Sequence, residues 1–380
     1  MIGAWKHKRI YYFEWLWNSG AITKLVVSWK SVLKADPVNW LLERENPSVR
    51  YFALRDILDY SEKDPEVEEA KAAIKHYEKV AKIFSKQKPE GYWESPEQPY
   101  LPKYKSTYWQ IIILGQLGLN KSDERVRKAC EYIFRFQLEE GGFSEFREEG
   151  AKREYLWVKE RALKRGKEFP PFDMWAKEKI REYEMSCLTG NVAASLIRLG
   201  YAEDDRVKKA LNWLVKIQNK DGGWLCPYWK AHIRDKHGCF MGTITPLDAF
   251  YELPSKDVTP KIETAIERGA EFLLMHRLFK ADHHQFKVIN NNWLKFGFPW
   301  FFYDILRALS VVTKLGYSGD ERVEDAFDIL LQKQNQDGKW LLERTPSGRM
   351  QTNLEPKGKP SKWITLHALK IIKGMHQKTS

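Results

Sequence analysis

The chain has 380 residues, 43% of them hydrophobic and 30% charged, the make-up of a folded globular protein and not of a collagenous or low-complexity chain. Lys and Arg leave a net charge of +12, which favours anionic partners, yet no compact basic stripe or known nucleic-acid module occurs, so nucleic acid is not an expected partner. Cysteine content (4 residues) excludes a disulfide framework, and no run approaches the ~20 apolar residues needed to cross a bilayer, so a cytoplasmic protein is expected.

From the N-terminus, Trp5 to Lys34 mixes Trp, Tyr and Lys, a composition that suits peripheral contact with a membrane surface. Its apolar positions form no clean helical stripe, and packing on the outside of the main domain is the competing use. Residues 1–45 are therefore set apart as an N-terminal segment, followed by one domain over 46–380. Within that domain apolar residues recur at helical spacing. The first helices of successive pairs are predicted at about 47–59, 105–118, 186–199, 243–252, 300–315 and 361–373. Second helices are predicted at about 65–86, 122–137, 204–218, 260–277 and 320–334. A sixth must come from the N-terminal 40 residues, which brings the chain ends together. Residues 144–184, rich in Arg, Lys and Glu around Pro170-Pro171, read as an inserted charged helical arm. Residues 279–298, with His283, His284 and Asn290 to Asn292, read as a long loop of the kind that carries function. Abundant Lys and Glu suit a thermophile.

One spacing recurs along these pairs: Gln, then Gly four residues on, then an aromatic two further. The copies are Gln87–Gly91–Trp93, Gln137–Gly141–Phe143, Gln218–Gly222–Trp224 and Gln334–Gly338–Trp340. In the last three the match extends upstream through Arg125-Val126, Arg206-Val207 and Arg322-Val323 to the stops Leu117-Gly118, Leu199-Gly200 and Leu315-Gly316. Gly ends a helix by taking the left-handed conformation, and Asp123, Asp205 and Asp320 lie where a carboxylate favours the next helix start. The unit is thus helix, Leu-Gly stop, short turn, helix, Gln, Gly-turn, aromatic. The helix over 260–277 has lost this ending, with His276 and Arg277 near the place of the Gln, and repeats erode where another constraint acts.

On these residues the chain resembles the squalene-cyclase/protein-prenyltransferase superfamily, whose QW repeat runs Gln, Gly, Trp as in Gln218–Gly222–Trp224, over roughly residues 45–375. The resemblance implies an all-α fold, an (α/α)6 toroid whose first helices form an inner ring around an apolar, aromatic-lined cavity. It implies an enzyme of terpenoid-cyclase or prenyltransferase type acting on an isoprenoid or other hydrophobic substrate, diphosphorylated or not. The family's Asp-x-Asp-Asp, Asp-Asp-x-x-Asp and Asp-x-Cys motifs do not occur, so the resemblance carries the cavity and not the reaction. Two other readings stay open: a non-catalytic toroid that binds a partner or glycan, and a carbohydrate-active α/α barrel with paired carboxylates.

Candidates for chemistry follow. Asp248 and Asp304 lie amid apolar and aromatic residues, where a carboxyl is costly to bury unless paired or protonated. Each is a candidate general acid; the competing role is structural, bonding a helix start or pairing with Arg307. Cys226, His232, His237 and Cys239 supply donors for a tetrahedral zinc, with Cys187 or His276 as replacements. The competing reading is cysteines packed as small hydrophobes. The 16 Trp, 17 Tyr and 19 Phe exceed the needs of a helical core, so part should line a pocket. Tyr108, Trp109, Cys187, Asn191, Trp229, Trp293, Trp300, Tyr303, Arg307 and Trp363 are the substrate-binding candidates. Lys105 and Lys362 could also present charge to a diphosphate.

Overall fold

The computed structural model describes residues 28–376. Most of the N-terminal stretch considered for membrane contact, residues 5–27, therefore lies outside the described residues. Among the described residues the structure is helical apart from isolated bridges and a two-residue antiparallel pairing of Lys280–Ala281 with Lys287–Val288 in the 279–298 loop. None of their helices is long and apolar enough to cross a membrane.

A short α1 (Val38–Leu41) precedes α2 (Pro47–Phe52), which runs on as a wider turn over Ala53–Ile57. Helices α3 (Pro65–Ile74) and α4 (Glu78–Phe84) follow outside, then α5 (Thr107–Gln116) inside and α6 (Glu124–Phe134) outside. The arm is α7 (Glu148–Leu163) and α8 (Phe172–Glu182), packed on each other around Phe146, Tyr155 and Trp175. The alternation resumes with α9 (Ser186–Leu196) inside, α10 (Asp205–Lys216) outside, α11 (Phe240–Tyr251) inside and α12 (Pro260–Met275) outside. It ends with α13 (Ile305–Val312), α14 (Glu324–Gln332) and α15 (Lys362–His376).

Inner neighbours pack in succession, α5 on α9, α9 on α11, α11 on α13, α13 on α15 and α15 on α2, with α1 against α15 as well. Phe52, at the end of α2, lies 3.3 Å from where a Gly118 side chain would begin, which joins the last pair of neighbours. The result is a closed ring of helical hairpins, as the repeat predicts. Burial follows position. Along inner α9 every residue except Cys187 is buried, whereas outer α10 buries only Val207, Ala210, Leu211, Trp213 and Leu214, one stripe at helical spacing.

The Gln–Gly–aromatic element is the corner that fastens each outer helix to the next. Gln218 Nε2 donates to the Gly222 carbonyl at 2.7 Å and to Ala265 of the following outer helix at 2.9 Å. Trp224 sends its backbone N–H to Thr243 Oγ1 of the next inner helix and its indole N–H to Leu214 of the previous outer helix. Trp93 with Thr107 and Ile83, and Trp340 with Thr365 and Leu330, repeat both bonds. Gly222 sits at φ +89°, and a Cβ there would meet the Arg268 carbonyl oxygen at 2.2 Å, so the turn requires glycine. At the last corner Gln334 accepts from Lys34 N–H, and Gly338 packs on Ala35, which puts the 28–42 segment in the place of the sixth outer helix.

Asp204 caps α10 and Asp205 is its first helical residue, a carboxylate at the helix start as expected. Two expectations are corrected. The predicted helix over 65–86 breaks into α3 and α4. The inner helix predicted from 300 begins at 305, because Asp304 takes the N-cap position and Trp300 to Tyr303 run in ahead of it.

Candidate functional site

All inner helices run the same way, so their C-terminal ends and short Leu-Gly turns gather at one end of the ring. A cavity of about 730 Å³ opens there. Six cationic side chains line it, Arg55, Lys71, Arg198, Lys314, Lys370 and Lys373, against three carboxylates, Asp56, Asp59 and Glu252. Helix C-termini present unpaired carbonyls and partial negative charge, which draws cations to this end. Lys373 shows the effect directly, donating to the Asp56 and Ile57 carbonyls at 3.1 Å each as well as to Asp59.

Each lining carboxylate is already tied to a cation: Asp56 to Arg55 and Lys370, Asp59 to Lys373, Glu252 to Arg198 at 3.1 Å. Paired free carboxylates of the glycosidase kind are thus not formed by these three. Lys314 has the loosest partner, Glu252 at 3.9 Å, and lies 4.0 Å from the Tyr251 ring centre. Burial holds the Lys314 and Lys370 ammonium groups below the usual lysine range. The floor is Trp300, Trp363 and His367, with Trp300 and His367 ring centres 4.0 Å apart. Both indole nitrogens and both His367 nitrogens are buried without a hydrogen-bond partner. Burial, then Lys370, Lys314 and Arg198, press the His367 pKa far down, so the imidazole is neutral. Of these four atoms three are donors and one, on the neutral imidazole, is an acceptor, and buried polar groups left open in this way are completed by water or by a ligand.

The predicted site residues divide between this wall and the rest of the ring. Asp248 stands behind the wall, its carboxylate shared between Arg198 at 2.6 Å and Arg307 at 2.8 Å. Burial works to raise its pKa, but the two guanidinium groups outweigh it and keep the group ionised, so it is a strut where a general acid was considered. Arg307 is fully buried and is held also by Asn191 at 2.9 Å; neither lines the cavity. Asp304 caps α13, accepting from Arg307 and Gly297 N–H, and burial pushes its pKa up to about 7. Trp300 and Trp363 do face the cavity.

The other aromatics fill the opposite, long-loop end. Trp109 packs among Tyr100, Tyr104 and Phe301, with ring centres 5.0 to 5.1 Å away, and its indole N–H is bonded to Tyr100. Tyr108 is buried and bonded to Ser144, while Tyr303 packs on Phe240 and Trp293 and is bonded to Leu278. Trp229 is 38% exposed on the loop before α11. The expected apolar, aromatic-lined cavity is therefore corrected in its wall, which is charged, while Trp300 and Trp363 keep an aromatic floor. Lys362 is taken up by Glu43 and Glu45.

The four metal candidates do not converge, and among the described residues no group of three or more His, Cys, Asp or Glu side chains is placed to hold a metal. Cys226 lies 4.0 Å from Cys187, whereas His237 turns to His276, Nε2 to Nε2 at 3.1 Å. Each of those two imidazoles has its Nδ1 on a backbone carbonyl, of Gly238 and Phe272.

The cavity cations were missed from sequence, although a signal was present. Gln116, Arg198, Glu252 and Lys314 each stand immediately before the leucine of a helix stop, Leu117, Leu199, Leu253 and Leu315, and all four line the cavity. One position per repeat faces inward there.

No protein-family model matches the chain, and no curated protein matches it. Among solved structures, a protein from Actinoplanes is 17% identical at a TM-score of 0.42, over 88% of this chain and 90% of that one. A variant of the type II terpene cyclase MstE from Scytonema, in complex with its product merosterolic acid A, is 16% identical at a TM-score of 0.43, over 89% and 96%. MstE without ligand is 15% identical at a TM-score of 0.43, over 88% of each chain. Scores this low align no individual side chain, and the site rests on its own geometry.

Proposed function

We propose that the central cavity binds a phosphorylated small molecule with an apolar body, of which a prenyl diphosphate is the best-fitting class. The observation that carries this reading is the meeting, in one space, of a cation-lined wall, its Lys314 only loosely paired, with buried, unpartnered N–H groups on an aromatic floor. Phosphate oxygens accept from several donors at once and bring the negative charge that the wall lacks. The volume suits a ligand of this size. Trp300 and Trp363 offer flat apolar faces to the hydrocarbon, and such faces also stabilise positive charge.

The chemistry these side chains support is departure of the diphosphate from an allylic carbon. The C–O bond breaks, its electron pair leaves with the diphosphate, and Lys314, Lys370 and Arg198 neutralise the charge that develops there. Asp248, shared between Arg198 and Arg307 behind the wall, serves in this reading as a strut and not as a proton donor.

Calorimetric titration of the full chain with geranylgeranyl diphosphate, geranylgeraniol and inorganic diphosphate tests the proposal. The ester should bind about tenfold or more tighter than either fragment, a difference of about 1.4 kcal/mol. Lys314→Met should weaken the ester and inorganic diphosphate alike and leave the alcohol unchanged. Equal binding of alcohol and ester, or no binding of any of the three, overturns it.

A further inference from the structure

A second cluster lies at the long-loop end of the ring, away from the cavity. Cys226 is buried two residues beyond the corner residue Trp224, whose two hydrogen bonds fix the chain at that point. Cys187 is the second residue of α9 and is half-buried. Their sulfur atoms are 4.0 Å apart, and Ser186 Oγ lies 3.7 Å from Cys226 Sγ. His232, in the short turn Lys230–His232, lies near enough to the Cys226 sulfur that the two shift each other's proton affinity. The Cys187 thiol, His232 and Ser186 outweigh burial and draw the Cys226 thiol well below the usual cysteine range, while Cys187 itself is driven up. One sulfur is thus disposed as a thiolate and its neighbour as a thiol, the arrangement of an attacking and a resolving cysteine. Cys130 and Cys239 have no such neighbour: burial raises both.

We propose that Cys187 and Cys226 are a modification site, forming a reversible disulfide with hydrogen peroxide or a small organic peroxide as oxidant. The Cys226 thiolate attacks one peroxide oxygen; the O–O bond breaks, and the other oxygen leaves as hydroxide or alkoxide. The resulting sulfenic acid is attacked by Cys187 sulfur, an S–S bond forms, and the S–O bond breaks. The Cys187 proton leaves with that oxygen as water. Two thiols are oxidised by two electrons, and one peroxide is reduced. The sulfur atoms must close from 4.0 Å to the covalent distance of about 2 Å.

The bond would staple the first turn of α9 to the loop after the third corner. Helix α9 also bears Asn191, and Arg198 follows it directly, so the modified element is one that carries the Asp248–Arg307 network.

The test is mass spectrometry of the intact chain after mild peroxide treatment, followed by peptide mapping. Wild type should lose two hydrogens and retain two of its four alkylatable thiols, with residues 187 and 226 linked and reductant restoring the mass. Cys187→Ser should stop one step earlier, giving a sulfenic acid on Cys226 that a dimedone-type reagent traps, while Cys226→Ser should give neither product. Four thiols surviving in wild type, a link involving Cys130 or Cys239, or trapping on Cys187 in place of Cys226 would overturn the assignment.

Discussion

Asp248→Ala removes a carboxylate that faces Arg198 at 2.6 Å and Arg307 at 2.8 Å, with the Arg307 side chain only 1% exposed. At an effective dielectric constant of about 20, each charge pair at about 4 Å gains about 4 kcal/mol, and burial of each ion costs several kcal/mol in return. The consequence of the substitution is set by what is stranded. Arg198 keeps Glu252, but Arg307 is left with Asn191 as its side-chain partner. Leaving one buried charge without its counter-charge costs about 3–5 kcal/mol. Because Asp248 is held below its ordinary pKa of 3.8, its contribution is present above that pH and is lost as pH falls below it. Urea unfolding at pH 7 should therefore show the full penalty, and at pH 3 a smaller one. Asp248→Ala/Arg307→Met removes the stranded charge as well and should recover at least about 2 kcal/mol of the loss. A penalty under about 1 kcal/mol at pH 7, or one that the double variant does not relieve, would refute the strut; a group serving as a protonated acid would give that result.

Further outcomes are expected elsewhere in the ring. Gly222→Ala forces a Cβ to 2.2 Å from the Arg268 carbonyl oxygen at φ +89° and should cost about 3 kcal/mol or more in urea unfolding, against about 1–2 for Gln218→Ala, which loses two hydrogen bonds. Glu145 is buried with its pKa pushed up to about 7 from 4.5, so the native state holds a proton that the unfolded chain releases between those values. Stability should fall as pH rises through that window, and Glu145→Gln should flatten the profile, with a gain of up to about 3 kcal/mol above pH 7. Lys314→Met exchanges a desolvated ammonium for an apolar side chain of similar length. Unfolding should show stability unchanged or raised by about 1 kcal/mol, which separates its loss of anion binding from any loss of fold.

The ring was legible because its fastening is local and repeated. A Gln reaching the carbonyl four residues on, a glycine forced to positive φ and an indole reaching back ten residues all leave fixed spacings in the chain. Burial of Asp248 and Asp304 was legible too, since both lie in apolar runs. Their partners were not: Asp248 meets Arg198 from 50 residues upstream and Arg307 from 59 downstream, and no spacing encodes which helices of a ring become neighbours. Aromatic count misled for a related reason. Trp109 and Tyr108 sit near the start of an inner helix, Trp300 and Tyr303 just before one, and sequence alone does not say whether a loop will close over them.

That last point locates the cavity. At the long-loop end, Tyr100, Tyr104, Phe301 and Phe302 come in from the loops and fill the ring with tilted and edge-on rings. At the other end the connections are Leu-Gly stops followed by a few residues, too short to reach the axis, so space survives there. It is also the end at which the inner helices point their carbonyls, and Arg198 and Lys314, each one residue before a stop, answer that partial charge. Six cations and three carboxylates line the space, and Glu62 and Asp248 behind it pair with Arg55, Lys71 and Arg198, so Lys314 is the cation least neutralised; the Trp300, Trp363 and His367 nitrogens beneath are still open. A wall built only to answer helix dipoles would not leave open polar groups beneath it, and this remainder is what the proposed anion in the middle of the ring would account for.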